Sequence, residues 1–382
     1  MNNMNIQHEL MALRQQLHQH PEISGEEEKT AIRIKEFIED FNPDRIVNGI
    51  GGYGLLAEFN GIEKGPTVMF RCELDALPVK EKNTVAYHSE NPGKAHLCGH
   101  DGHMTMVAGL ASYLGAKRPK KGRVILLFQP SEEDGQGAKR IIQDQKFKEF
   151  EPDYIFAIHN LPGYPMHKVI LSDQNFASAS RGMAIQLSGK SSHAAEPEKG
   201  INPGMGLSKI VMQIEELLKN KSFFKDFVLV TPIHARLGNL AYGTSPGDAE
   251  VHFTLRSYLN DDMNILIKKA ETIVRKIAVQ EKLTAKISYK EIFPATKNNP
   301  ECSQIVAHAC TKSGLSSESL KKPFRWSEDF GHFTSQFPGT LFGLGSGTDQ
   351  PALHNPDFDF PDELISTGMT LYKSIYENIL DS

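Results

Sequence analysis

The chain has 382 residues, of which 39% are hydrophobic and 23% charged, and its 42 basic and 47 acidic side chains leave a net charge of −5. These are the proportions of a globular protein with room for about two domains of ~150 residues. No basic block supplies a nucleic-acid footprint, no apolar run approaches the ~18 residues that span a bilayer, and the first residues lack the pattern of a signal peptide.

Residues 5–19 and 28–40 read as amphipathic helices. HQHPEISGEE joins them, with Pro21 as breaker and Ser24 as a candidate cap. GYGLLAEF (52–59) and PTVMFRCEL (66–74) read as strands, and the unbroken VMF predicts burial on both faces. Asp101 stands where an N-cap would open the helix GHMTMVAGLASYLGAK. The strand GRVILLFQP (122–130), a helix from about 136 to 147 and the strand DYIFAIHN (153–160) follow. Such alternation predicts an α/β sandwich with helices covering a mixed sheet.

The pattern then changes. RGMAIQLSGK (181–190), FVLVTPIHARL (227–237), DAEVHFTLRSY (248–258) and TAKISYKEIF (284–293) read as strands. One helix follows Pro203, and a second carries Met263, Leu266, Ile267, Ala270, Ile273, Val274 and Ile277 at 3.6-residue spacing. The order βαββαβ predicts a ferredoxin-like unit of about 110 residues. Helix and strand resume over 301–313, 340–344 and 362–380. The expected organisation is a first domain of residues 1–178 and 292–382, with residues 179–291 inserted as a second.

LCGHDGHM places Cys98 and His100 just ahead of a helix N-terminus, where the helix dipole favours a thiolate. Glu132 and Glu133 follow the strand ending VILLFQP, His159 ends DYIFAIHN, and His354 lies in ALHNP after a glycine-rich turn. Ligands of open α/β sheets gather beyond the carboxyl ends of strands, so these segments can converge. One thiolate, three imidazoles and one or two carboxylates exceed a tetrahedral structural zinc site and suit two divalent ions with open positions. Such a pair holds a bridging hydroxide, because coordination lowers the pKa of water from ~15.7 toward ~7. Of two adjacent glutamates, one then binds metal while the other takes the nucleophile's proton. Each residue alone also has an ordinary reading, as core cysteine, cap, solvated acid or structural histidine. Spacing by itself leaves both readings open. The four cysteines (Cys72, Cys98, Cys302 and Cys310) lack disulfide-framework spacing, which points to a reducing, cytoplasmic location.

The stretches LHQHPEISGEE (17–27), RCELDALPV (71–79), LCGHDGHM (97–104), FQPSEED (128–134), AIHNLPG (157–163), GKSSHAAEPEKGINP (189–203), TLRSY (254–258), WSEDFGHF (326–333) and LHNPDFDFPD (353–362) run from end to end of the chain. Together they resemble the metal-dependent amidohydrolases of the aminoacylase, hippurate hydrolase and auxin-conjugate hydrolase group. That group is the cysteine-containing branch of a clan of dimetal exopeptidases and deacylases. The resemblance implies that Cys98, His100, Glu133, His159 and His354 are metal ligands and that Glu132 is the general base. It implies that Asp75 orients a ligand or the base, that His193 stabilises the oxyanion, and that Arg256 meets a substrate carboxylate. It further implies a mixed-sheet dimetal domain with the ferredoxin-like insert as lid and dimerisation domain, giving a homodimer. The metals are then two divalent ions, manganese first, with zinc, nickel or cobalt also compatible with the donors.

Three departures bear on specificity rather than on metal chemistry. Glu73 stands where many relatives have aspartate, YGTSPGD (242–248) replaces a lid stretch that carries an asparagine, and Ser191-Ser192-His193 stands where GGH is common. The expected activity is hydrolysis of the amide bond of an N-acyl amino acid or similar small amide. No nucleic acid or membrane partner is expected. A dipeptidase with the same metals is the alternative, with Glu73 and Glu328 as candidate anchors for a free amino terminus. A non-catalytic binding protein is a third reading, disfavoured by Glu132, since a purely structural site has no use for a base.

Overall fold

A computed structural model describes residues 3–381. Leu10, Leu13 and Leu17 lie on one stripe of α1 (Asn3–Gln19) and are buried, as are Ile34 and Ile38 of α2 (Glu28–Glu39). Ser24 does not cap α2. Glu27 takes the N-cap position, and the Ser24 hydroxyl donates instead to Asp75. Strands β1 (Arg45–Ile50), β2 (Gly54–Asn60) and β3 (Glu63–Glu73) follow, with Val68, Met69 and Phe70 fully buried. Helix α3 (His100–Ala116) begins one residue before the expected Asp101 cap. Gly99 is the N-cap at φ +93°, a left-handed conformation suited to glycine, and a Cβ there would lie 2.3 Å from Asn160 Oδ1. Asp101 therefore sits inside the first turn.

The chain continues through β4 (Lys121–Gln129), α4 (Gly137–Gln143), β5 (Tyr154–Leu161), β6 (Val169–Leu171) and β7 (Asn175–Ala177). A 3₁₀ turn over Gln145–Phe150 replaces the last turn of the helix expected to reach residue 147, because Asp144 leaves the helix with extended ψ and caps Lys146. Next come β8 (Ala179–Ser188), β9 (Ser192–His193), α5 (Gly204–Glu216), β10 (Val228–Leu237), β11 (Thr244–Ser245), β12 (Asp248–Ser257), α6 (Asn260–Gln280) and β13 (Thr284–Phe293). The remainder supplies β14 (Thr296–Lys297), α7 (Pro300–Lys312), β15 (Ser317–Ser319), α8 (Gly331–Thr334), β16 (Gly339–Gly345) and α9 (Glu363–Leu380).

The chain divides into two units. The first takes Met1–Phe176, Thr296–Lys322 and Asp329–Ser382; the second takes Ala177–Ala295 and Pro323–Glu328. In the first, a mixed sheet runs in the order β1-β2-β4-β3-β5-β16-β6-β15. Its centre is parallel, with β3 beside β4 and β5, and β16 beside β5. Strands β1 and β2 are antiparallel to their neighbours. Helices α3 and α9 pack against each other and over β3 and β4, and α4 and α8 pack together beside β4 and β16.

In the second unit, β10-β12-β8-β13 form an antiparallel sheet. Its strand order is that of a ferredoxin-like βαββαβ unit. Met183, Ile185 and Leu187 of β8 and Ala249, Val251, Phe253 and Leu255 of β12 alternate into a core with Ile210 and Ile214 of α5 and Leu266, Ala270, Val274 and Ile277 of α6. Among the described residues, no helix is long and apolar enough to cross a membrane.

Phe70 is fully buried, with Tyr372 of α9 and Phe156 of β5 at ring-centroid distances of 4.7 and 6.0 Å. Phe70→Ala is expected to cost the first unit about 3–5 kcal/mol, read as a lowered urea midpoint, because a cavity opens where the close-packed sheet cannot collapse.

Candidate metal centre

The parallel strands set the site. The segments leaving β3, β4 and β16, together with the last turn of β5, carry the ligand-type residues at one edge of the sheet. The long connection after β3 ends at Cys98 and His100, where α3 starts. The turn after β4 presents Glu132 and Glu133, β5 carries His159, and the segment after β16 carries His354. The His354 backbone, at φ +66°, donates its N–H to Leu97 O at 2.8 Å, which ties the last segment to the cysteine loop.

The donor atoms come together. Cys98 Sγ lies 3.6 Å from His159 Nε2. His100 Nε2 lies 3.9 Å from both Glu132 Oε2 and Glu133 Oε1, and His354 Nε2 lies 3.8 Å from Glu133 Oε2. Ligand atoms of Cys98, His100 and His159 form one cluster, those of Cys98, Glu133 and His354 a second, and those of His100, Glu132 and Glu133 a third, each within 4.8 Å. Donors bound to one tetrahedral ion at about 2.0–2.3 Å stand about 3.3–3.8 Å apart, so these separations fit with little movement. The first cluster shares Cys98 with the second and His100 with the third, and the second shares Glu133 with the third, an arrangement that suits two neighbouring ions better than one.

The imidazoles are prepared for that role. His100 Nδ1 meets Asp75 O at 2.8 Å, and His159 Nδ1 meets Asn160 O at 2.8 Å. A carbonyl can only accept, so each Nδ1 carries the proton and each Nε2 offers its lone pair to the cluster. Burial pushes the His159 pKa down to about 3 and lowers that of His100, and partial desolvation lowers that of the more exposed His354, shifts that favour the neutral ring in each.

Asp75 is fully buried beneath the centre. Its Oδ2 accepts from Ser24 Oγ at 2.6 Å and from the Glu133 backbone N–H at 2.9 Å, while its carbonyl orients His100. Glu132 Oε1 accepts the Asp329 backbone N–H at 3.3 Å. Asp329 is itself held by Arg71 and by both Gln129 and the Ala138 N–H.

A buried chain of partners lies behind the candidate ligands. Glu73 bonds Arg71 and accepts from His103 Nδ1 at 2.7 Å, and His103 Nε2 meets Asn160 Oδ1 at 2.7 Å. The His103 and His159 rings meet edge to face at 4.9 Å. One signal for His103 was present, since it stands three residues after His100 and so shares its helix face. Glu73 is fully buried and committed to these partners, which removes it as an anchor for a substrate amino group.

His193 and Arg256 belong to the second unit. His193 is exposed on β9, opposite Thr244 of β11, and its Nδ1 accepts the Ala195 N–H at 3.1 Å. Arg256 on β12 donates to Arg325 O at 2.9 Å and Ser327 Oγ at 3.0 Å. Those bonds draw Pro323–Glu328 onto the second unit.

Residues 69–378 match the model of the peptidase family M20/M25/M40. The N-acetyldiaminopimelate deacetylase of Bacillus subtilis strain 168 is 27% identical over 373 residues, covering 97% of this chain and 99% of that protein. The hippurate hydrolase of Campylobacter jejuni is 26% identical over 374 residues, covering 97% of each. Among solved structures, the Bacillus subtilis YXEP protein, described as a dinuclear metal binding peptidase of the M20 family, superposes with a TM-score of 0.84 at 22% identity over 100% of this chain and 99% of that one. With the match running from the third strand of the sheet into the last helix, the chain belongs to the peptidase family M20/M25/M40.

Proposed function

We propose that the chain is a metal-dependent amidohydrolase that cleaves the amide bond of an N-acyl amino acid or a similar small amide. The observation that carries this reading is the adjacent pair Glu132–Glu133, one carboxylate shared with His354 and Cys98 and the other held at the edge of the cluster by the Asp329 N–H. Similarity to an N-acetyldiaminopimelate deacetylase and a hippurate hydrolase supports the substrate class.

Cys98, His100, Glu133, His159 and His354 would hold two divalent ions, for which we assign manganese first, with zinc, nickel or cobalt compatible with the same donors. Ions bound there supply Lewis acidity toward the substrate carbonyl and acidify water. Glu132 accepts the proton of the attacking water and returns it to the leaving nitrogen. Asp75 keeps the Glu133 backbone and the His100 ring in register, so that both present their donors to the same point. His193 would stabilise the developing oxyanion and Arg256 the substrate carboxylate, from a second unit acting as a lid.

The second unit also supports a homodimer. Of its two edge strands, β13 carries Lys286 and Lys290, which discourage pairing, whereas β10 exposes Ile233 at 60% and Leu237 at 42%. Four cysteines outside any disulfide fit a reducing compartment, and we assign the cytoplasm.

Metal analysis is expected to find two ions per chain, and chelation to abolish amide hydrolysis that divalent ions restore. Glu132→Gln should keep both ions while turnover falls about 10²- to 10⁴-fold, the range for a lost general base; full turnover in that variant removes the assigned role. Across a panel, N-acyl amino acids should be cleaved in preference to dipeptides, and the opposite ranking would favour a peptidase. Sedimentation should show a dimer that Ile233→Glu shifts toward monomer; a monomeric parent chain would remove the dimer assignment.

A further inference from the structure

The last turn of α1 and the segment leading to α2 carry none of the candidate ligands, yet their side chains reach the turns that carry the site. His18 Nδ1 bonds Asp101 Oδ2 at 2.8 Å, one residue past His100, while His18 Nε2 bonds Glu81 Oε1 at 2.9 Å. One ring therefore holds both ends of residues 81–101, the stretch that ends in Cys98 and His100. Ser24 Oγ donates to Asp75 at 2.6 Å. Glu27 Oε1 accepts the Ser131 N–H at 2.8 Å and the Gly25 N–H at 2.9 Å.

The Glu27 contact bears on conformation. Ser131 immediately precedes Glu132 and Glu133 and sits at φ +53°, in the left-handed region that costs a residue with a Cβ. Its carbonyl accepts from the Gln136 and Gly137 N–H groups at 3.2 and 2.8 Å, so the turn folds back on itself. Glu27 and Ser131 are both buried, so the Ser131 N–H is shielded from bulk water and has the carboxylate as its acceptor. The bond reaches 104 residues along the chain and pins a strained peptide whose next two side chains are the proposed base and a proposed ligand.

We propose that residues 18–27 form a positioning belt for the metal centre, and that Glu27 is its decisive member, holding the left-handed turn at Ser131 that aims Glu132 and Glu133. Glu27 touches no substrate and is a positioning residue. The assignment rests on the dimetal reading for its effect on rate, while its effect on the turn stands apart from it. Without the carboxylate the turn relaxes toward negative φ and the two glutamates rotate away together. Gln keeps an oxygen at the same reach and so keeps the bond. Asp withdraws it by a methylene.

The test uses the full chain loaded with manganese and compares Glu27→Ala, Glu27→Asp, Glu27→Gln and Glu27→Ala/Ser131→Gly. The Ala and Asp variants should lower kcat about tenfold or more with KM within about threefold, since small misplacements of reacting groups act on turnover. They should also reduce bound metal from two ions toward one, and speed amide hydrogen exchange in peptides covering 131–137 but not in β3. Gln should stay within about threefold of the parent, and glycine at 131 should restore part of the loss, because glycine adopts positive φ without the Cβ penalty. If Ala does not fold, Asp and Gln carry the comparison. Unchanged exchange at 131–137 together with parental kcat and two ions in the Asp variant would overturn the proposal, as would a Gln variant as impaired as Asp. A parent chain that binds no metal would instead overturn the dimetal reading, leaving the exchange comparison to decide the belt.

Discussion

The whole site depends on the parallel register of β4, β3, β5 and β16. Parallel neighbours end together, so the segments leaving them share one edge of the sheet, and residues more than two hundred positions apart, such as Cys98 and His354, acquire a common neighbour in Glu133. Because the sheet is buried on both faces, that edge is stiff. Donors mounted on it are placed by packing rather than by their own flexible side chains.

Stiffness alone does not orient a ring. Here orientation comes from a buried layer of hydrogen bonds behind the donors. Carbonyls of Asp75 and Asn160 set the tautomers of His100 and His159, and Arg71, Glu73 and His103 brace Asn160 from the far side. Asp329 closes the layer beneath Glu132. Removing one member of a bonded pair in this layer would strand its partner away from water. The Glu73 side chain meets Arg71 with one oxygen and His103 with the other, so it serves the support behind the candidate donors.

The two units divide the work along lines that their cores make plain. The first has a large sheet-and-helix core, and the donors stand at its rim. The second has its own smaller core between a four-stranded sheet and two helices, and it holds the residues proposed to meet substrate. The segment carrying YGTSPGD belongs to the second unit, whereas the buried bonds behind the candidate donors belong to the first.

The sequence by itself determined what repeats locally. The 3.6-residue stripes of the helices, the alternation of Met183, Ile185 and Leu187, and the solid apolar run Val68–Phe70 are properties of neighbouring residues, so period and burial could be read directly. Residue types beside strand ends marked candidate donors but left their role open, and the family resemblance supplied the proposed ligand set. Only the tertiary structure decided what depends on distant contacts. The left-handed backbone at Gly99 moved the helix start ahead of the expected cap, and positive φ at Ser131 has no signature in a serine. The partners of Ser24, Glu27, Glu73 and His18 lie 51, 104, 30 and 83 residues away, and no local pattern encodes a hydrogen bond across such a span. Local preference selects the elements, whereas the orientation of a side chain follows from what the folded sheet brings beside it.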